Sequence, residues 1–265
     1  MAKDSFFDTA SILIIDKEKK TSNDRTWCFW ENGKGEWDDL LHKSWDKIVF
    51  KSNLYQNTIP LQSYTYKMIR SAKFYKKLWN CIDAKNNISF IEANVVKVLD
   101  TAEGAIVEAS TGKYHAAKLL NSIDFDQKYT HQDEYPVLLQ HFIGWFVETK
   151  KNQFDDSVAT FMDFTVDQKM NTRFMYVLPV SENKALFEYT LFSKDVLLKE
   201  EYERELQKYL ELNSITDYTI IEKEKGVIPM TSFKFWQDNS KNILHIGTVG
   251  GWTKASTGYT FKNTS

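Results

Sequence analysis

The chain has 265 residues, 42% hydrophobic, 26% charged and 15% aromatic, with a formal net charge of −2. These figures read as a soluble globular chain of one large domain or two small ones, and they exclude a nucleic-acid surface, which needs a concentrated basic face. No apolar run reaches the roughly 18 residues of a membrane-spanning helix, and MAKDSFFDTAS lacks the basic-then-apolar order of a signal peptide.

In chain order, SILIIDKE (11–18) predicts a short buried strand, parallel to its neighbours, ending at Asp16. An acid at the end of a second strand is where a dinucleotide fold binds a ribose hydroxyl. The glycine-rich phosphate turn belongs ~20 residues earlier. The stretch before Ser11 contains no glycine, so that turn is absent from this sequence.

DRTWCFW (24–30) sets one arginine among aromatics. If extended, it places Arg25, Trp27 and Phe29 on one face. Such a face can shelter a positive charge, or it can be a packed edge strand with an exposed arginine. Cys28 and Cys81 read as reduced thiols, though one bridge could join them.

YTYKMIRSAKFYKKLWNCIDA (64–84) carries Met68, Ile69, Phe74, Leu78 and Ile82 at helical spacing, with Ser63 or Thr65 as cap, and predicts a helix. Its Lys67, Arg70, Lys73, Lys76 and Lys77 would suit an anionic lipid surface or a solvated face. ISFIEANVVKVLD and AIVEAS predict a strand and a hairpin around Gly104, and KYHAAKLLNSI a further strand. From Pro136 the pattern changes. LLQHFIGWFVET, ATFMDFTV, RFMYVLPV and KALFEYTLF predict an antiparallel sheet, and DVLLKEEYERELQKYLEL (195–212) an amphipathic helix. TIIEKEKGVIPM returns as strand. NILHIGTVGGW is a strand entering a glycine turn, which is either a phosphate or cofactor site or a plain tight turn. The histidines have no metal-ligand spacing, and no metal is expected.

DRTWCFW, LLQHFIGWFVET, FMDFTVDQ, FMYVLPV, LFEYT and TVGGWTKASTGYTF, in that order, resemble the lycopene cyclases of carotenoid biosynthesis from Ile12 to Phe261. The resemblance implies a mixed α/β fold of the flavoprotein-hydroxylase type. Residues 1–135 would form the first part of an FAD-binding domain and 136–241 an inserted antiparallel substrate domain. Residues 242–265 would return to the FAD-binding domain. The family's phosphate loop and its C-terminal helical region have no counterpart, so the chain is expected to be a fragment of a longer protein.

The implied reaction is redox-neutral. An acid protonates a terminal double bond of lycopene, the cation closes a ring, and proton loss gives a β-ionone end group. Reduced FAD is required, NADPH supplies the reduction, and the enzyme works at the cytoplasmic face of a bacterial inner membrane. Glu188 in LFEYT matches the family's acidic motif and is expected to be the general acid. Tyr189 stands where the family has a second acid. Asp163 would orient Glu188 or take the ring proton. Trp27 would shelter the cation, and Arg25 would hold the flavin or pair with a carboxylate. Asp16, Gly247, Gly250, Thr257 and Gly258 would bind FAD, while Glu148 and His141 are read as structural. A flavin-dependent polyprenyl reductase or hydroxylase on the same fold is the alternative. A non-catalytic carotenoid- or lipid-binding module is a third reading.

Overall fold

Period-two alternation dominates the chain, and the computed structural model, which describes residues 1–264, is accordingly rich in strands. The first segment holds β1 (Ile12–Asp16), β2 (Thr26–Asn32), β3 (Leu41–Trp45), β4 (Lys47–Ser52), β5 (Tyr55–Pro60) and β6 (Tyr64–Arg70). Helix α1 (Ser71–Asp83) follows, then β7 (Ile88–Glu92), β8 (Val95–Thr101), β9 (Gly104–Ala109), β10 (Gly112–Ala116) and β11 (Leu119–Asn121). The central segment holds β12 (Val137–Thr149), β13 (Ala159–Asp163), β14 (Thr172–Ser181), β15 (Lys184–Ser193), α2 (Lys199–Leu212) and β16 (Tyr218–Thr231). The chain ends with β17 (Ile243–His245), a 3-10 turn over Gly247–Gly250, and α3 (Phe261–Thr264).

Two parallel pairs, β1 with β7 and β11 with β17, form the α/β part that SILIIDKE and NILHIG predict. The hairpin around Gly104 also forms, and a third strand extends it in the order β10-β9-β8. KYHAAKLLNSI divides in two, β10 pairing with β9 and β11 with β17.

The large sheet has seven strands in the order β16-β12-β15-β14-β13-β4-β5. Its antiparallel core comes from residues after Pro136, as the alternation predicts. Its far edge does not: β4 pairs in parallel with β13, so residues 47–60 complete a sheet assigned from sequence to 136–241 alone. A pairing across so many residues leaves no trace in local pattern.

The helix expected over 64–84 is corrected to a strand followed by a helix. Tyr64–Arg70 is the central strand of a β2-β6-β3 sheet, because β-branched and aromatic residues favour a pleated, half-buried surface. Lys67 is buried and donates to Glu31 Oε2 (3.0 Å) and Asp38 Oδ1 (2.6 Å), and Arg70 pairs with Glu222. Neither cation faces a lipid surface. The second predicted helix begins at Lys199 rather than Asp195, since Leu198 is still extended.

The large sheet buries both faces. On one face, Tyr202, Leu206, Tyr209 and Leu210 of α2 pack against Ile143, Trp145, Val147, Phe187, Tyr189 and Leu191. On the other, the β2-β6-β3 sheet covers Phe146, Leu178 and Leu186 with Trp45, Tyr66 and Met68. Beyond that small sheet lies a third cluster of Phe29, Trp37, Leu40, Ile69 and Phe261. Among the described residues no helix is long and apolar enough to cross a membrane.

Candidate functional site

The site forms where the two sheets face each other. Register places Tyr176 of β14, Glu188 of β15, Gly144 of β12 and Glu224 of β16 in one row across four strands. Directly paired residues point to the same side of a sheet. The two carboxylates therefore stand on either side of a glycine, on the face covered by β2 and β6. A Cβ on Gly144 would lie 2.9 Å from Leu186 Cδ1 and 3.1 Å from Glu224 Cγ, so only glycine fits between the two acids without a shift.

Each carboxylate has one short partner. Thr190, fully buried, donates to Glu188 Oε1 at 2.7 Å, and Thr26 of β2 donates to Glu224 Oε2 at 2.6 Å. Burial, then the neighbouring charge of Glu224, pushes Glu188 up to about 8 against the Thr190 hydrogen bond. Burial also raises Glu224, opposed by the Thr26 hydrogen bond and the charges of Arg70 and Arg25. Two buried acids of like charge disfavour double ionisation. Arg70 and Arg25 act on Glu224 and no cation acts on Glu188, which favours the proton of the pair on Glu188.

Aromatic rings wall this face. Trp30 lies 4.4 Å from Tyr66 and 5.2 Å from Phe161, centroid to centroid, and Tyr66 lies 6.3 Å from Tyr176. Cys28 packs in the same cluster as a free thiol, its ionisation suppressed first by burial and then by Glu224 and Glu188.

The alternation read in DRTWCFW holds, but with the opposite face inward. Trp27 and Phe29 point away from Glu188. Trp27 stacks on Phe261 (5.5 Å) and meets Phe74 edge-on (5.2 Å), so the structure does not bring it to the acid. Thr26, Cys28 and Trp30 take that place. Arg25 is exposed at the start of β2, where its Nη1 donates to the Asp24 carbonyl at 2.8 Å.

Asp163 is not brought to Glu188 either. It is fully buried on the α2 side, accepts from Tyr209 Oη at 2.8 Å and pairs with Lys51 Nζ at 3.2 Å. Plain alternation would give it the side of Phe161. A register shift in β13 between Thr160 and Asp163 inserts a residue and turns it over. Tyr189 faces α2 as well, with Arg173 Nη1 donating to its hydroxyl at 3.2 Å. An acid at 189 would thus be on the wrong side to pair with Glu188; the second acid here comes from Glu224. His141 is buried between Tyr202 and Ser193, and Glu148 pairs with Lys184 at 3.2 Å.

The expected flavin residues fall into two groups. Asp16 ends β1, opposite Glu92 of β7. Gly247 and Gly250 bound the turn after β17, and Gly247 has φ +63°, a left-handed conformation natural to glycine. A Cβ on Gly250 would strike the His245 carbonyl oxygen at 2.4 Å, and one on Gly258 would strike Gln140 Oε1 at 2.3 Å. Thr257 is exposed beside it. Gln140 Oε1 and His245 Nδ1 are buried without hydrogen-bond partners, one by each tight approach. A cavity of about 290 Å³ opens among Pro229, Phe233, Phe235, Thr248, Gly251 and Thr253. Unsatisfied buried polar atoms beside glycine turns fit the polar edge of a flavin ring or its ribityl chain. No glycine-rich phosphate cradle occurs among these residues. Tyr259, next to Gly258, accepts from Trp30 Nε1 at 3.2 Å, so the glycine loop adjoins the aromatic wall of the acid face.

A family model described as "Lycopene cyclase protein" matches residues 4–265. Neoxanthin synthase of the chloroplast from Solanum lycopersicum is 25% identical over 256 residues, covering 87% of this chain and 50% of that protein. The corresponding Solanum tuberosum protein matches equally. The chain thus spans about half the length of the curated relatives it matches. A geranylgeranyl bacteriochlorophyll reductase-like protein from Thermoplasma acidophilum has the same fold, with TM-score 0.68, 11% identity and coverage of 95% of this chain and 68% of that one. CtdE in complex with FAD gives TM-score 0.63, 12% identity and coverage of 99% and 77%. A flavin-dependent halogenase from Xanthomonas campestris gives 0.62, 8%, and 95% and 63%.

Proposed function

The chain belongs to the lycopene cyclase protein family, and on that premise we propose that its parent protein closes the linear ends of lycopene to β-ionone rings by acid catalysis. One observation carries this reading: Glu188 stands on the covered face of the large sheet beside a wall of aromatic rings, where burial pushes its carboxyl up to about 8. Protonating an alkene needs an undissociated acid away from competing water. Glu188 gives its proton to a terminal alkene carbon, and the electron pair of that double bond forms the new C–H bond. The next double bond attacks the tertiary cation and closes the ring. Loss of a ring proton returns an electron pair as the ring double bond. Trp30, Tyr66, Phe161 and Tyr176 offer electron-rich faces that stabilise the cation by about 0.5–2 kcal/mol each without trapping it. Thr190 fixes the carboxyl so that its other oxygen carries the proton.

Gly247, Gly250, Thr257 and Gly258 would hold the ring and ribityl part of FAD, with Asp16 on a ribose. Reduced FAD, recharged by NADPH, would supply an electron-rich ring that favours a nearby positive charge with no net electron transfer. Gly258→Val is expected to weaken FAD binding at least about tenfold in a flavin-fluorescence titration of the full-length protein, because Gly258 has φ +71°, strained for any β-branched residue, and a Cβ there would displace the Gln140 amide. Unchanged affinity would remove this loop from the flavin site.

Lycopene is too apolar for free solution, so the reaction is proposed to take place peripherally at a membrane surface. The alternative on this fold is reduction of a polyprenyl chain, as the name of the Thermoplasma acidophilum neighbour indicates for that protein. Anaerobic incubation of the full-length protein with FAD, NADPH and lycopene separates the two. A cyclase yields an isomer of equal mass, and a heavier product overturns the proposal.

A further inference from the structure

A cyclisation that begins with a proton must also end with one, because the ring cation becomes an alkene only when a base removes a neighbouring hydrogen. Glu188 has just become a carboxylate, but it stands where the first carbon was protonated. Asp163 and Tyr189 are on the far side of the sheet. What remains on the acid face is the row Glu188, Gly144, Glu224. Two strand spacings separate the outer backbones by about 9–10 Å. Gly144 itself puts no side chain between them; a Cβ there would lie 2.9 Å from Leu186 Cδ1, 3.1 Å from Glu224 Cγ and 3.4 Å from Glu224 Oε1.

Resting on the cyclase reading, we propose that Glu224 is the base of the reaction: its carboxylate takes the ring proton and passes it across Gly144 to Glu188. The balance is complete within the pair. Glu188 loses one proton to the substrate, Glu224 gains one from the ring, and the transfer between them restores both acids without oxidant or reductant. The surroundings are asymmetric in the required sense. Thr26 donates to Glu224, while Arg70 and the exposed Arg25 lend it positive charge. Glu222, on the same strand, is held by Arg70. Among the described residues, the polar groups facing Glu188 are Thr190, Glu224 and the weak acids Cys28 and Tyr176, both of whose ionisation burial suppresses. The Thr26 hydrogen bond and the two arginines thus favour the carboxylate form at Glu224, and no such partner acts on Glu188 beyond Thr190.

The tertiary cation has hydrogens on three adjacent carbons, and a positioned base selects one. Glu224→Gln, in full-length holoprotein given lycopene, is expected to slow cyclisation about 10²–10⁴-fold and to replace a single product by a mixture of double-bond isomers. Glu224→Asp restores part of the rate. Parental rate and a single isomer in Glu224→Gln overturn the proposal. If Glu224→Gln does not fold, Glu224→Asp carries the test: a slower, mixed reaction supports the relay, and parental behaviour overturns it.

A second readout needs no turnover. The infrared carboxylic-acid band of Glu188, assigned by its loss in Glu188→Gln, should titrate at least about one pH unit lower when Glu224 is replaced by Gln, because a like charge has been removed. An unmoved midpoint overturns the pairing. If instead the parent protein produces no isomer while the midpoint moves, the cyclase reading fails and the coupled pair stands.

Discussion

Glu188→Gln is expected to lower cyclisation at least about 10⁴-fold while leaving the fold intact. Glutamine has nearly the same shape and can still accept from Thr190, but it has no proton to give. Product analysis on full-length protein with lycopene and reduced FAD reads the loss, and apolar ligand binding should persist. Turnover within tenfold of the parent would remove Glu188 as the acid. The pH dependence follows from the same burial. The acid form is the active one and its carboxyl is pushed up to about 8, so the parental rate should fall as pH rises through that value. The sign for stability is the same. A carboxyl raised from 4.5 to about 8 on folding stabilises the native state fully below the lower value, and that contribution is lost as pH rises through the upper one. Glu188→Gln has no such group. Relative to the parent, it should therefore gain stability between the two values, and the gain should level off above about 8. Urea titrations at pH 5 and pH 9 measure it.

Asp163→Ala is the second large effect, and it falls on stability. The carboxylate is fully buried, accepts from Tyr209 on α2 and from the Thr165 amide, and pairs with Lys51, which is about one-third exposed. Its removal leaves a tyrosine hydroxyl and an amide without partners in the layer between α2 and the sheet. A loss of about 2–4 kcal/mol is expected, read as a shift of the urea midpoint. The turnover of the remaining folded molecules should be unchanged. A protein that stays fully stable but loses turnover would put Asp163 back into the chemistry.

The contrast between these two acids shows what a strand pattern can carry. Both sit in hydrophobic runs of similar length, FMDF and LFEYT. For Glu188 the alternation is regular, and its face follows once the neighbours are known. For Asp163 a bulge inverts the face, and a one-residue shift has no signature in composition. Glu224 leaves still less trace in the sequence. TIIEKEKGVIPM reads as a strand without an assigned face, and its even positions Glu222 and Glu224 are turned inward because β2 and β6 cover that edge of the sheet. Tyr64–Arg70 is rich in β-formers yet also fits helical spacing, and seven residues cannot separate the two periods.

The sequence by itself determined the short buried strand ending at Asp16, the antiparallel core after Pro136, the amphipathic α2, the glycine turns and the identity of the family motifs. All of these are local: they depend on periodicity, on glycine where a side chain would collide, or on residue order within a short span. Tertiary structure decided which face of DRTWCFW looks at the acid, that Asp163 and Tyr189 look away from it, and that Glu224 stands beside it. Those facts depend on register between strands far apart in the chain, where one residue of slip exchanges inside for outside, and the covering sheet fixes that choice.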